Sequence, residues 1–260
     1  MCSKKLFPRL IVNAAVMAAI SLFLVSCKKP TPPQKPGDNS AKTTQTKTTD
    51  TNSTSVQNNA DTKLVPLALK LPKEMFIGTP QNIDVPNLEK PLGRPRDPFL
   101  APAGTKNVSL GKPVTSSDPM PIIGELEMVT DGDKEATEGS DVELGPLLQH
   151  VTIDLGADYN IYAVLLWHYH KQARVYFDVI VQIADDADFI TNVHTLFNND
   201  IDNSAGLGVG RNMHYVETAE GKLIDAKGVK GRFVRLYSRG SNQNALNNYT
   251  EVEVYGKPAK

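Results

Sequence analysis

Short runs of apolar residues, separated by glycine, asparagine and aspartate, dominate the second half of the chain. Most of them alternate apolar with polar residues, which is the period of a half-buried strand, and none has a sustained helical period. The runs read VTIDLG, AVLLWHYH, VYFDVIVQIADD, FVRLYSRG and TEVEVYG. The pattern predicts an antiparallel all-β domain over residues 106–258, which is long enough to build its own core.

The same alternation assigns side chains to the two faces of individual strands. In TEVEVYG, Val252 and Val254 should be core, whereas Glu251 and Glu253 should face out. The run VYFDVIVQI should line the interface between two packed sheets with every second residue. Its inward residues are Val175, Phe177, Val179, Val181 and Ile183, and its outward residues are Tyr176, Asp178 and Gln182.

The first 26 residues predict a secretory signal peptide. A basic start precedes the apolar stretch LIVNAAVMAAISLFLV, which is too short for a stable transmembrane anchor. The stretch ends in LVSC, and this Leu-x-x-Cys pattern resembles the bacterial lipobox, in which the cysteine, here Cys27, becomes lipidated. The alternative is an ordinary signal peptide with a chance cysteine. We expect a lipid-anchored protein of the bacterial cell envelope, and Lys28 after the cysteine favours the outer membrane in the families that this pattern resembles.

The cysteine content and the net charge exclude a disulfide and a nucleic-acid partner. The other cysteine, Cys2, leaves with the signal peptide, so the mature protein has no disulfide. Removing the three basic residues of the signal changes the net charge from −1 to −4. With no basic patch, nucleic acid is excluded as a partner.

Two segments separate the signal from the β domain. Residues 27–63 are rich in Lys, Thr, Pro, Asn and Gln and predict a disordered tether. Residues 64–105 carry spaced apolar residues between recurrent prolines, which exclude helix and disfavour the interior of a sheet. We expect an extended strap that packs onto the next domain; a second disordered linker is the alternative. The packing residues would be Leu67, Leu69, Leu71, Phe76 and Phe99.

An ordered set of motifs in the β domain resembles a known family. The motifs are NVSLGKPVTSS, VTDGDKE, HVTIDLG, GRFVRLYS and TEVEVYG. Their order resembles the discoidin domain family, also called coagulation factor V/VIII C-type. The same galactose-binding-like sandwich contains family 32 carbohydrate-binding modules and fucose-binding lectins. The resemblance implies an eight-stranded antiparallel jelly-roll β-sandwich, with ligand-binding loops at one end and, in many members, a structural calcium ion.

The acidic stretch MVTDGDKEATEG, residues 128–139, is a candidate for that ion. Calcium takes about six to eight oxygen ligands, and two carboxylates can converge where glycine permits a tight turn. A plain Asp-Gly turn is the alternative. The resemblance places the ligands on the side chains of Asp131, Asp133 and Glu251, the carbonyls near Met128 and of Thr250, and the hydroxyl of Thr137 or Ser140.

The stretch WHYH leaves three readings open. On a strand, Trp167 and Tyr169 share one face, and His168 and His170 share the other. Trp167 could be core with the histidines on a polar outer face. His168, His170 and Arg174 could instead form a binding surface beside a sugar-stacking aromatic, or the two histidines could hold a transition metal.

Two loops are further candidates for ligand binding, because binding residues concentrate on long loops of a rigid sandwich. The Asn-rich stretch NQNALNNY offers amides, which are also ordinary turn residues. Residues 198–215 are polar and glycine-rich, and a flexible insertion is the alternative reading. Their candidate sugar-binding residues are Asp200, Asp202, Asn203, Arg211 and His214.

No motif of a nucleophile, a zinc protease or a phosphate-binding loop is present, so we predict that the protein is not an enzyme. The predicted function is a lipid-anchored, non-catalytic binding module that recognises carbohydrate or another cell-surface ligand through loops at one end of the sandwich. The alternative is a structural or adaptor domain that docks onto an envelope protein partner and binds no glycan. A third possibility is that the domain delivers an enzyme carried on a separate chain.

Overall fold

The structure is a computed structural model that describes residues 63–74 and 83–260. The predicted signal peptide, Cys27, the tether up to residue 62 and Phe76 lie outside the described residues. All the described residues belong to one compact unit. None of the helical segments in this part of the chain is both long and apolar enough to cross a membrane.

The regular secondary structure of the described residues consists of antiparallel strands and a 3-10 helix at Leu126–Thr130, joined by turns and loops. The strands are β1 (Leu64–Pro66), β2 (Leu100–Pro102), β3 (Lys106–Asn107), β4 (Val114–Ser116), β5 (Val142–Leu144), β6 (Gln149–Trp167), β7 (Ile180–Ala184), β8 (His194–Asn198), β9 (Lys222–Ser238), β10 (Asn247–Tyr249) and β11 (Glu251–Pro258).

The large sheet has the order β3-β11-β6-β9-β7-β8, and β4 pairs with β6 beside this path. The long strands β6 and β9 pair along most of their length, with a register break between Asp154 and Tyr159. A second sheet pairs β5 with β10, and the strap contributes the pair β1–β2. Val142 of β5 and Tyr249 of β10 share one core cluster with side chains of the large sheet. The expected all-β antiparallel sandwich is confirmed.

Strand β11 follows its predicted alternation but not its predicted exposure. Val252 and Val254 are fully buried in the main core, as expected. Glu251 and Glu253 point to the opposite face, yet they are only 0% and 5% exposed, so the expectation that they face out is wrong. The reason is that this second face of the sheet is covered too.

The strap covers the apolar part of that face, and the loop with Gly132 and Lys134 contacts Glu251 and Glu253. Leu67, Leu69 and Phe99 pack against a second apolar cluster that contains Leu165 and Trp167. Leu71, which was expected to join them, is 47% exposed. The contacts observed are therefore those of an extended strap rather than of a free linker, and they bury the apolar outer face of β6.

The face assignment of VYFDVIVQI holds only in its second half. Val179, Val181 and Ile183 are buried in the main core as predicted. Asp178, however, has a positive φ of 49°, which interrupts the extended backbone before β7 begins. The interruption turns Tyr176 into the core and leaves Phe177 half-buried, the reverse of the prediction, because a break of one residue exchanges the faces of a strand.

Candidate functional site

An aromatic ring and a guanidinium lie side by side just beyond the end of β6. The chain leaves the strand after Trp167, and the Arg174 guanidinium carbon lies 4.4 Å from the centroid of the Tyr169 ring. That distance is within the range of a cation–π contact. Arg174 Nη1 also donates to Asn248 Oδ1 at 3.3 Å. Tyr169 and Arg174 are both half-buried, so part of each remains accessible.

Two carboxylates adjoin this pair through Asn248. The Asn248 Nδ2 group donates to Asp141 Oδ2 at 2.8 Å and to Glu143 Oε2 at 3.1 Å. Its Oδ1 atom accepts from the Tyr176 hydroxyl at 3.1 Å. These partners fix the amide, while Glu143 stays half-buried and Arg174 Nε has no partner among the described residues. We call this group the Arg174 cluster: Tyr169, Arg174, Asp141, Glu143 and Asn248.

His168 lies beneath the cluster and not on an outer face. Its ring is fully buried, and Nδ1 is 2.6 Å from Glu217 Oε1. The imidazole stacks on Tyr176 with ring centroids 4.3 Å apart. Trp167 packs in the apolar cluster under the strap, so His168 faces the main core, where its ring centroid also lies 5.1 Å from that of Tyr249, and not a polar outer face. Both that reading and the direct binding of a ligand by His168 are wrong for this reason.

His170 is buried as well. Its Nε2 atom is 2.8 Å from the carbonyl oxygen of Lys134. The two imidazoles therefore have separate partners. They do not belong to a group of potential metal ligands among the residues that the structure describes. The readings of His170 as a ligand-binding residue and of the pair as a transition-metal site are therefore wrong as well.

The loop after β8 is organised by its own acidic and amide side chains. The buried Asp200 carboxylate accepts from the backbone N–H groups of Ser204 at 3.0 Å and Ala205 at 2.9 Å. Asn203 Oδ1 accepts from the N–H of Gly208 at 2.7 Å. The expectation that Asp200 binds a sugar hydroxyl is wrong, because its side chain is fully buried.

Asp178, which the sequence did not nominate, joins two predicted residues in an acidic group. One oxygen each from Asp178, Asp200 and Asp202 lies within 4.8 Å of the others. Burial raises the pKa of Asp178, and the neighbouring carboxylates add to this effect. Ser204 Oγ donates to Asp178 at 2.7 Å, and Arg239 Nη1 lies 3.8 Å from the same carboxylate. The group is an acidic cluster that could hold a cation.

His214 forms backbone hydrogen bonds with the strap. Its N–H donates to the Asn87 carbonyl at 2.9 Å, and its carbonyl accepts from the Glu89 N–H at 2.8 Å. Its ring is buried edge-on against Phe177, with centroids 5.4 Å apart, and burial lowers its pKa. The expectation that His214 contacts a ligand is therefore wrong. Of the loop residues predicted to bind ligand, Asp202, Asn203 and Arg211 are exposed.

The Asp-Gly-Asp turn meets the start of β11, as the resemblance implied. Gly132 donates its N–H to Glu251 Oε2 at 3.1 Å. Glu251 Oε1 and Thr250 Oγ1 are buried and have no partner among the described residues. Burial raises the pKa of Glu251 to about 9, with Asp131 adding to the shift. A cation next to this carboxylate would remove the cost of burying its charge.

A buried lysine lies near Glu251 but pairs with a different carboxylate. The Lys134 ammonium pairs with Glu253, in a contact that is buried on both sides. It lies 5.0 Å from the centroid of the Trp167 ring. Tyr255 donates its hydroxyl to the other oxygen of Glu253 at 2.7 Å. Lys134 therefore leaves Glu251 with an unsatisfied oxygen.

The remaining predicted metal ligands divide into two groups. Asp131 Oδ1 accepts from the Asp133 N–H at 2.7 Å. This hydrogen bond closes the turn that carries both carboxylates. Thr137 Oγ1 and Ser140 Oγ are hydrogen-bonded to each other at 2.9 Å in a turn of their own. The unpartnered oxygens of Glu251 and Thr250 fit a hard cation such as calcium. The carboxylates of Asp131, Asp133 and Glu251, however, do not form a group whose oxygens all lie within 4.8 Å of one another in the described part of the chain. The hydroxyls of Thr137 and Ser140 do not complete that set in this structure.

No family model and no curated protein matches the chain. Solved structures are similar at low identity. The family 89 glycoside hydrolase CpGH89 of Clostridium perfringens, in complex with GlcNAc-alpha-1,4-galactose, shares 17% identity at a TM-score of 0.44. The match covers 59% of this chain and 15% of that chain, so this chain spans a small part of that enzyme.

Two smaller proteins are matched over nearly their whole length. One is the family 32 carbohydrate-binding module of AlyQ, in complex with 4,5-unsaturated mannuronic acid, at 16% identity and a TM-score of 0.41. That match covers 55% of this chain and 92% of the module. The other is the fucose-binding module SpX-3 of Streptococcus pneumoniae, at 20% identity, a TM-score of 0.41 and coverage of 58% and 97%.

Proposed function

We propose that this protein is a lipid-anchored, non-catalytic carbohydrate-binding module of the discoidin type, and that the Arg174 cluster is its ligand site. The observation that carries the proposal is the half-buried Tyr169 ring with Arg174 against it and the Asn248 amide and its carboxylates alongside. An apolar ring face beside a few fixed polar groups is the usual composition of a small-ligand site.

The chemistry of the cluster matches a sugar. A pyranose ring has an apolar C–H face that can lie on an exposed aromatic ring, and its hydroxyls both donate and accept hydrogen bonds. Glu143 can accept from a hydroxyl, and the half-buried guanidinium of Arg174 can donate to one. The contacts of Asn248 hold these groups in place before a ligand arrives, which lowers the entropic cost of binding.

A calcium ion at the Asp-Gly-Asp turn is part of the proposal. Asp131, Asp133, Glu251 and Thr250 would hold it, supported by the unpartnered oxygens of Glu251 and Thr250. Bound there, the ion would supply charge compensation and tie the acidic loop to β11. The role is structural, since this turn and the Arg174 cluster share no residue.

The lipid anchor at Cys27, the tether and the outer-membrane location remain proposals from the sequence. Together they would hold the sandwich at a membrane surface.

A second candidate function is docking onto an envelope protein partner without glycan binding. Exposed apolar side chains favour it: Met120 is 81% exposed and Leu147 is 68% exposed. Their loops are joined by the bond from the Gly145 N–H to Asp118 Oδ2 at 2.8 Å. Such residues are typical of protein interfaces when they form one patch.

Tyr169→Ala should weaken carbohydrate binding about tenfold, because loss of a stacking ring costs roughly 1.4 kcal/mol. The measurement is the binding of the full chain, kept soluble in mild detergent, to immobilised galactose, fucose, N-acetylglucosamine and uronic-acid glycans. It is made in calcium and again with chelator.

Tyr162→Ala is the matched control, because Tyr162 is a half-buried tyrosine of β6 that lies beside Gly228 and outside the cluster. It should bind as the wild type does. If the folded wild type binds no glycan, the docking function replaces the proposed one. If both variants lose binding equally, the site lies elsewhere.

A further inference from the structure

The segment between β8 and β9 that approaches the Arg174 cluster is held by the strap. We call residues 214–221 the bridging segment. At its start, Leu88 forms a parallel bridge with His214, flanked by the backbone bonds of Asn87 and Glu89 described above. Just after its end, Lys222 Nζ donates to both carboxylate oxygens of Glu89, at 2.9 and 2.8 Å. One stretch of the strap therefore holds both ends.

Arg96 of the strap makes the densest contacts with the bridging segment. Its Nη1 donates to the Gly221 carbonyl at 2.9 Å, and its Nη2 donates to the Glu220 carbonyl at 3.0 Å. Its backbone N–H donates to the Glu220 carboxylate, with distances of 3.1 and 3.2 Å to the two oxygens. The guanidinium thus fixes two successive carbonyls of one turn, which a shorter or uncharged side chain cannot do.

The middle of the bridging segment contacts the ligand site from below. The Glu217 N–H donates to the Arg174 carbonyl at 2.8 Å. Its carboxylate holds His168, and His168 stacks on Tyr176, whose hydroxyl donates to Asn248 of the cluster. All these contacts are buried. A movement of the bridging segment therefore either moves the Arg174 cluster as well or requires the side chains between them to repack.

We propose that the strap sets the affinity of the Arg174 cluster by holding the bridging segment, with Arg96 and Glu217 as positioning residues. The inference rests on the proposed function and adds to it a determinant outside the ligand site. A strap that only covered apolar surface would need neither the paired carbonyl contacts of Arg96 nor the contacts of Glu217 with Arg174 and His168.

Trp167 is a built-in reporter of the bridging segment, because it is the only tryptophan of the chain. Its Nε1 donates to the Ala219 carbonyl at 2.9 Å, and its ring is fully buried under Gly221. Loosening the segment should expose the indole to solvent. Acrylamide quenching of Trp167 fluorescence therefore measures the state of the segment without any sugar.

Arg96→Ala should weaken binding to the glycan panel about fivefold, which is a typical coupling between linked sites. It should also raise the acrylamide quenching of Trp167 about twofold, because the opened segment is more accessible. Arg94→Ala is the control: Arg94 lies in the same strap, is exposed, and pairs with Asp97 at 2.6 Å. That variant should match the wild type in both measurements.

A double-mutant cycle tests whether Arg96 acts through Glu217. Glu217→Gln keeps the size of the side chain but removes its charge, and it should weaken binding by itself. If Arg96 acts through Glu217, the double variant should lose less binding free energy than the sum of the losses in the two single variants. Strict additivity overturns the positioning role.

The outcomes separate this inference from the proposed function. If the wild type binds glycan and Arg96→Ala binds it equally well, the inference is wrong, whatever the quenching shows. The proposed function is then unaffected. Unchanged quenching in Arg96→Ala also overturns the inference, because the segment is then held without that residue. A folded wild type that binds no glycan overturns the proposed function and, with it, the inference.

Discussion

Replacing Gly221 with alanine should lower the free energy of unfolding by about 3 kcal/mol. Gly221 has a φ of +63°, where a side chain is strained. A Cβ atom built there would lie 2.6 Å from Trp167 Cε2, 2.8 Å from Trp167 Nε1 and 2.9 Å from the Leu166 carbonyl oxygen. Neither neighbour can yield easily, because one is backbone and the other is a buried ring that is covered by the strap.

Gly111→Ala separates the two contributions. Gly111 has nearly the same φ, +66°, but a Cβ atom there would meet nothing within 4 Å. It should cost about 1 kcal/mol, the backbone part alone. The measurement is urea unfolding of the two full-length variants and the wild type, followed by circular dichroism. Equal losses in the two variants would show that the contact with Trp167 contributes nothing.

The apolar pattern of the sequence predicted the sandwich because most of its apolar runs have a period of two. Val252 and Val254 were placed correctly for that reason. The exposure of Glu251 and Glu253 was not predictable from the same pattern, because alternation says which face a residue occupies and not what covers that face. Glu251 and Glu253 are contacted by Gly132 and Lys134 of the Asp-Gly-Asp loop, which lies far away in the sequence.

The candidate site was predictable only in part. Tyr169 and Arg174 lie close together in the chain, and Arg174 was proposed as a ligand-binding residue. Asp141 and Asn248 are 107 residues apart and meet only because β5 pairs with β10. No local sequence pattern predicts that pairing. The burial of His168 was missed because its partner, Glu217, is 49 residues away.

Glu251→Gln should abolish the stabilisation of the protein by calcium. The wild type should gain about 2.7 kcal/mol of stability when calcium is at about a hundred times its Kd. The variant should gain almost nothing, because it lacks the carboxylate that would complete the site. In chelator at about pH 8, however, the variant should be the more stable protein, because a neutral amide avoids the cost of protonating a carboxylate that is ionised in the unfolded chain.

The pH dependence follows from the raised pKa of Glu251, about 9 in the folded protein against a usual value of 4.5. Between these values, folding without a cation takes up a proton, so stability falls as the pH rises. Calcium binds the ionised carboxylate, so its stabilising effect should grow over the same window.

Melting temperatures in calcium and in chelator, at about pH 5.5 and about pH 8, test both statements. Glu138→Gln is the control, because it removes one exposed carboxylate from the same loop. It should retain the wild-type response to calcium. If calcium stabilises Glu251→Gln as much as the wild type, the ion does not bind at this turn, and the buried Glu251 is simply protonated when the chain folds.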